Sequence, residues 1–171
     1  MIEIVPFQPA LQKGVVDLIV PIQRDEFGFD VDVRDQPDLL DIGSFYQSGG
    51  GGFWVGLDDD RAVGTIGLRD IGNHQAALRK MFVAAHYRGR EHALAARLLD
   101  RLLQHAQLHG VRQIFLGTTE RFLAAHRFYE KQGFIRTSPD QLPEAFPRMA
   151  VDTRFYQRRL LAAAAPDGGS G

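Results

Sequence analysis

Between Leu94 and Leu103 the sequence LAARLLDRLL sets Leu94, Leu98 and Leu102 in one apolar row, with Ala95, Leu99 and Leu103 in the row beside it. Residues four apart share a helix face, so this stretch reads as an amphipathic helix whose leucine side must lie on a broad apolar surface. Gly110 is its natural stop. Strands that can supply the surface flank it. The hairpin FWVGL (53–57), turn DDDR, AVGTIGLRDI (62–71) continues into AALRKMFV (76–83), three consecutive strands that read as an antiparallel meander. QIFLGTT (113–119) follows the helix as a further strand.

The ends are read in the same way. IEIVPF (2–7) is an opening strand, with Pro6 at a strand end or sheet edge. Leu11, Val15, Leu18, Ile19 and Ile22 recur at helical spacing, and Pro21 kinks or ends that helix. DQPDLLDI (35–42) reads as a short helix with Pro37 in its first turn. SGGGG (48–52) reads as a flexible surface loop. ERFLAAHRFYEKQ is a short helix stopped by Gly133. FIRTS (134–138) and MAVDTRFYQRRL (149–160) are two closing strands around DQLPEAFP. The expected organisation is one domain over 1–161 and a disordered tail over 162–171.

Composition narrows the function. Lys and Arg total 20 against 21 Asp and Glu, a formal net charge of -1, which gives no basic surface for nucleic acid or anionic membrane. With 0 cysteines, disulfides, thiolate metal sites and a cysteine nucleophile are excluded. No signal segment or membrane span is visible, so the expected location is the cytoplasm.

The stretch YRGREHALAARLL (87–99) joins a strand to the long helix. The first N–H groups of a helix lack internal partners and carry the positive end of its dipole, and a tight Arg88-Gly89 turn aims them into one concavity. Arg88 and Arg90 add charge for a phosphate. Alanine at 93 and 95 removes no donor and is expected in ordinary helical angles. An Arg-Gly turn before a surface helix is the plainer alternative. No Gly-Lys-Ser/Thr follows, and the spaced glycines of a dinucleotide fingerprint are missing.

Three pieces in order, MFVAAHYRG, ALAARLLDRLL and AAHRFYEKQGF, resemble the GNAT superfamily of acyl-CoA-dependent N-acyltransferases, over roughly residues 53–136. The resemblance implies an α/β fold: a mixed, mostly antiparallel sheet of about seven strands flanked by about four helices, splayed between its fourth and fifth strands. It implies acetyl-CoA as acyl donor, no metal, and a primary amine of a small molecule or peptide as acceptor. Met81, Phe82 and Val83 would face pantetheine. Arg88, Gly89, Arg90, Ala93, Leu94 and Ala95 would hold the pyrophosphate, and Thr118 would contact the cofactor. Two positions depart from the family pattern: Ala93 replaces its first loop glycine, beside Glu91, and Phe122 stands where an asparagine is frequent. A non-catalytic acyl-CoA-binding or regulatory module of the same fold is the alternative these departures favour. The closing strand is also available to pair across a homodimer.

Acyl transfer to an amine needs a neutral amine, a stabilised oxyanion and a protonated leaving thiolate. The resemblance puts Tyr129 near the thioester sulfur as general acid; otherwise it is a core aromatic beside Phe128 and Phe134. A backbone N–H near Val83 is the oxyanion donor. No carboxylate occurs from Ala76 to Val83, so the base is sought at Glu26, with Asp25, Asp30, Asp70 and His74 as rivals. His105 and His109 sit four apart without an intervening glutamate, which fits a solvated helix face rather than zinc. His126 is placed one turn before Tyr129, within reach of cofactor or substrate.

Overall fold

The computed structural model describes residues 1–89, 93–120 and 123–161. The tail read as disordered therefore lies outside the described residues, as do Arg90, Glu91, His92, Arg121 and Phe122. Seven strands form one sheet: β1 (Ile2–Pro6), β2 (Gly52–Asp58), β3 (Arg61–Gly72), β4 (Gln75–Val83), β5 (Gln113–Thr118), β6 (Ile135–Thr137) and β7 (Arg154–Arg159), in the order β1-β2-β3-β4-β5-β7-β6. Every neighbouring pair is antiparallel except β4 and β5. Among the described residues five α-helices accompany it: α1 (Gln12–Pro21), α2 (Pro37–Leu40), α3 (Ile42–Tyr46), α4 (Leu94–Leu108) and α5 (Leu123–Lys131).

Strand alternation sorts the core onto two faces. Trp54, Ile66, Leu68, Ala76, Leu78, Ile114 and Leu116 face α4 and α5, whose Leu94, Leu98, Leu99, Leu102 and Tyr129 complete that cluster. Leu94, Leu98, Leu99 and Leu102 of α4 are thus buried and Leu103 partly so, each fully buried leucine being worth roughly 2 kcal/mol. The helix comes close because β3 carries glycine beneath it. A Cβ on Gly64 would stand 3.0 Å from side-chain atoms of both Leu94 and Leu98. On the opposite face, Val15 and Ile19 of α1, Leu39 of α2, and Ile42 and Tyr46 of α3 pack on Phe53 and Val55. A separate cluster on that face joins Ala77, Phe115, Phe146 and Phe155.

Three local readings need correction. The helix read over 35–42 is two short helices broken at Asp41, whose φ of -147° and ψ of 62° are not helical. The α-helix does end at Pro21, as read, and the chain passes directly into one π-turn, Ile22–Glu26. The glycine run is a held turn: Asp70 accepts from Gly50 N at 2.7 Å, and His105 Nε2 meets Gly51 O at 2.9 Å. His105 is accordingly no solvated face residue. It packs edge-on to Trp54 and stacks on His109 at 4.0 Å between centroids. Finally, the closing strand begins at Arg154, leaving 149–153 as a turn, and β7 lies inside the sheet between β5 and β6, so its backbone is not free to form a dimer seam.

Candidate active site

The parallel ladder between β4 and β5 holds only from Gln75–Gln113 to Ala77–Phe115. Beyond it the strands part, and among the described residues the β4 edge from Leu78 to Val83 has no strand partner on that side. An unpaired edge offers backbone donors and acceptors to an extended ligand.

A bulge shapes this edge. Thr65 pairs with Phe82 and Gly67 with Arg79, so Ile66 alone opposes Lys80 and Met81. Lys80 takes a left-handed φ of 53°. A bulge re-aims side chains: Met81 and Val83 turn to the α4–α5 face and Phe82 to the α1–α3 face. Lys80 reaches the α1–α3 face to meet Asp38, with Nζ 3.6 Å from Oδ2 and both side chains 6% exposed. Lys80 Nζ also donates to Gln36 Oε1 at 2.8 Å, and Tyr46 donates to Asp38 at 2.6 Å. Burial pulls the Lys80 ammonium below its ordinary range, against the pull of Asp38.

Tyr129 lies across the splay from this edge. Its ring packs between Phe128, Phe134 and Tyr156. Its hydroxyl donates to Met81 Sδ at 3.7 Å. The ring is core, as the plainer reading had it, and the hydroxyl points at β4, where the sulfur of Met81 is its acceptor. Burial raises the phenol well above its ordinary value, so it stays protonated. His126, one turn earlier, is buried at 3% exposure, and its Nε2 meets Thr119 O at 2.8 Å, tying α5 to the end of β5. Its Nδ1 has no partner among the described residues. Thr118 ends β5 on the same face as Ile114 and Leu116, and its carbonyl accepts from Thr153 N at 2.9 Å.

At the start of α4, Ala93 corrects the expectation of helical angles: it is the N-cap, with a left-handed φ of 46° and ψ of 31°. Ala95 does lie within the helix. Alanine at 93 thus adopts the conformation a glycine takes freely, at a cost of about 1 kcal/mol. Arg97 N, bonded to Ala93 O at 3.0 Å, is the first helical amide bonded among the described residues, so those of Leu94, Ala95 and Ala96 open the helix. Gly89, with φ of 105°, makes the preceding turn.

Glu26 and Arg88, read as base and phosphate ligand, form one ion pair at 2.6 Å, and Arg88 Nε donates to Val83 O at 2.9 Å. Together they clamp the π-turn to the end of β4. The rival carboxylate Asp70 holds Gly50 and Gly72, while His74 Nδ1 meets Gly110 O. Both stand at the closed end of the splay. Asp25 and Asp30 are exposed.

The carboxylate that the sequence reading passed over is Asp152. It sits above Gly117 of β5, where a Cβ would come 2.5 Å from its Oδ2. Continuing the parallel register two residues past Ala77–Phe115 sets Gly117 opposite Arg79, so Asp152 stands at the mouth of the splay on the α1–α3 face. Its Oδ2 accepts from Met149 N at 3.0 Å. Burial raises its carboxyl above the ordinary value, opposed by that N–H and by the charges of Arg79, Arg148 and Lys80. Aspartate is disfavoured in strands, and its place inside MAVDTRF was the available sign that the strand starts later. Among the described residues no cluster of three or more His, Asp or Glu could hold a metal ion, and no helix is long and apolar enough to cross a membrane.

Comparison with known proteins agrees with this geometry. The pattern of the Acetyltransferase (GNAT) family matches residues 16–134. The structure of a GNAT-family acetyltransferase from Staphylococcus aureus Mu50 superposes with a TM-score of 0.89 at 36% identity, covering 94% of this chain and 100% of that one. An acetyltransferase from Streptococcus agalactiae 2603 does so with a TM-score of 0.88 at 32% identity, covering 93% and 98%. N-acetylaspartate synthetase from Danio rerio is 31% identical over 126 residues, covering 71% of this chain and 44% of the synthetase. This chain therefore spans less than half the length of that curated relative. With its splayed β4–β5 pair, the bulge at Lys80 and the helix opening at Ala93, the chain belongs to the GNAT acetyltransferase family.

Proposed function

We propose that the chain transfers an acetyl group from acetyl-CoA to the primary amine of a small molecule or peptide, with Tyr129 as general acid. The observation that carries this is the Tyr129 hydroxyl: it is buried, protonated and aimed across the splay at Met81 Sδ, 3.7 Å away, with no stronger acceptor among the described residues. A thioester sulfur lying along the free edge of β4 is the same kind of soft acceptor. The relative that makes N-acetylaspartate acts on an amine of that class.

In this reading the edge from Met81 to Val83 binds the pantetheine arm through backbone groups. Gly89, Arg88 and the amides of Leu94 and Ala95 receive the pyrophosphate. Arg88 reaches it by exchanging its exposed partner Glu26, an exchange that costs little because such surface pairs are worth about 0–1 kcal/mol. A backbone N–H of the β4 edge takes the developing oxyanion. As the amine nitrogen bonds to the acyl carbon, the C–S bond breaks and the departing thiolate takes the Tyr129 proton. The nitrogen sheds two protons in all. One restores the phenol and one leaves to solvent, so a protonated amine yields amide, free thiol and one proton.

The test is acetyl-CoA consumption against a panel of primary amines, read as acceptor-dependent release of free thiol. Binding of acetyl-CoA with no release for any amine would instead establish the non-catalytic module.

A further inference from the structure

On the α1–α3 face the apolar core is broken in two, one part under the helices and one under Phe146, and a polar seam runs between them in line with the splay. Two charged groups in the seam make no ion pair among the described residues, with each other or with any other side chain. Arg79 donates to the thioether of Met149 at 3.3 Å, also touches the Tyr46 hydroxyl and the Phe45 ring, 5.5 Å from its centroid, and makes no ion pair among the described residues. Asp152 uses Oδ2 for Met149 N, while Oδ1 takes no hydrogen bond among the described residues. They stand on opposite strands of the parted pair, each partly buried and close enough for Arg79 to act on the Asp152 carboxyl, yet they do not bond each other. A guanidinium with no carboxylate partner and a carboxylate with one oxygen unbonded are each matched by a ligand carrying both opposite charges.

We propose that this seam is the acceptor subsite and takes a small amino acid, the Asp152 carboxylate receiving the ammonium and the Arg79 guanidinium receiving a carboxylate. The inference rests on the acetyl-transfer reading above and names its acceptor class. Arg148 stands at the rim, its guanidinium carbon 5.1 Å from the Phe155 ring centroid, and adds positive charge on the carboxylate side. Lys80 contributes less, because Asp38 and Gln36 already engage it. Placed so, the amine lies between Asp152 and the free edge of β4. Asp152 Oδ1 takes one ammonium proton and passes it to water, leaving the nitrogen lone pair to attack the acyl carbon. The charged groups facing Asp152 are Arg79 and Lys80 from β4 and Arg148 from its own loop; β5 contributes only Gly117.

The experiment compares small amino acids, aspartate and alanine among them, with their carboxamides and with ethylamine as acceptors for the full chain. Amino acids should exceed the carboxylate-free amines by about tenfold or more in kcat/KM. Arg79→Gln should erase that preference by raising KM for amino acids about tenfold. Asp152→Asn should lower kcat and remove the acid limb of the pH–rate profile, which a merely structural aspartate would leave in place. Equal rates for ethylamine and amino acids in the native protein would overturn the subsite while leaving acetyl transfer intact. Should no amine be acetylated, calorimetry of aspartate and alanine into the CoA-bound protein decides. Binding heat lost in Arg79→Gln upholds the subsite although turnover fails, and no heat with either amino acid removes it.

Discussion

Thr65, with 0% exposure, donates from Oγ1 to the carbonyl of Lys80 at 2.8 Å, so a buried hydroxyl on β3 holds the one residue of β4 that leaves the sheet conformation. The bulge is what sends Lys80 to Asp38 and Met81 toward Tyr129. A left-handed lysine costs about 1–2 kcal/mol, and the hydroxyl is one of the contacts that offsets it. Thr65→Val keeps the shape and removes the donor. We expect a loss of about 1–2 kcal/mol in urea unfolding and a clear fall in turnover, both restored in Thr65→Ser. Native turnover in the valine variant would mean the bulge is held by other contacts.

Tyr129→Phe removes only the hydroxyl that meets Met81 and leaves the ring among Phe134 and Tyr156. Turnover should fall by about a hundredfold or more, while acetyl-CoA affinity measured by calorimetry stays within about twofold. Because burial holds the phenol above its ordinary value of 10.0, no alkaline limb of the native profile below that pH belongs to Tyr129. A phenylalanine variant with native turnover takes the residue out of the chemistry.

Ala93 carries a φ of 46° at the head of α4. Ala93→Gly relieves that strain but loosens the unfolded chain, and the two effects leave a net gain of about 0.5–1 kcal/mol. Chemical unfolding should show the gain, and acetyl-CoA should bind at least as tightly, since the methyl is also removed from the loop. A variant less stable than the parent would show that the left-handed turn is not where the strain lies.

How far the sequence could be read depended on whether a feature recurs along the chain. The rows through Leu94, Leu98 and Leu102 follow a simple period, and β2, β3 and β5 are continuous apolar runs closed by turn residues and buried on both faces; each emerged where expected. Tyr129 was legible only through the motif around it, because burial beside Phe134 says nothing about where a hydroxyl points. The bulge had a weak sign: Arg79 and Lys80 sit together between apolar triplets, AAL before and MFV after, which breaks strict alternation. Asp152 had almost none. Its place above Gly117 depends on how a loop closes over β5, a relation between residues 35 apart that no local pattern encodes. The Glu26–Arg88 pair is similar, spanning 62 residues and made possible by the π-turn that follows Pro21.

His105 connects α4 to the glycine turn through Gly51 O at 2.9 Å while stacked on His109 and edge-on to Trp54. Burial, reinforced by the nearby His109 charge, lowers its imidazole below the ordinary 6.5, so the folded protein resists protonating a ring that the unfolded chain protonates readily. The unfolded state therefore binds more protons between the folded value and 6.5, and stability rises with pH across that window. The contribution is whole above 6.5 and is lost as the solution is acidified below it. Thermal unfolding followed from pH 7.5 down to about 5 should show a falling midpoint, and His105→Gln, which keeps a donor for Gly51 O without a titrating ring, should flatten that fall. If the glutamine variant loses stability with acid as steeply as the parent, the titrating group lies elsewhere and the turn at Gly51 is not what acid loosens first.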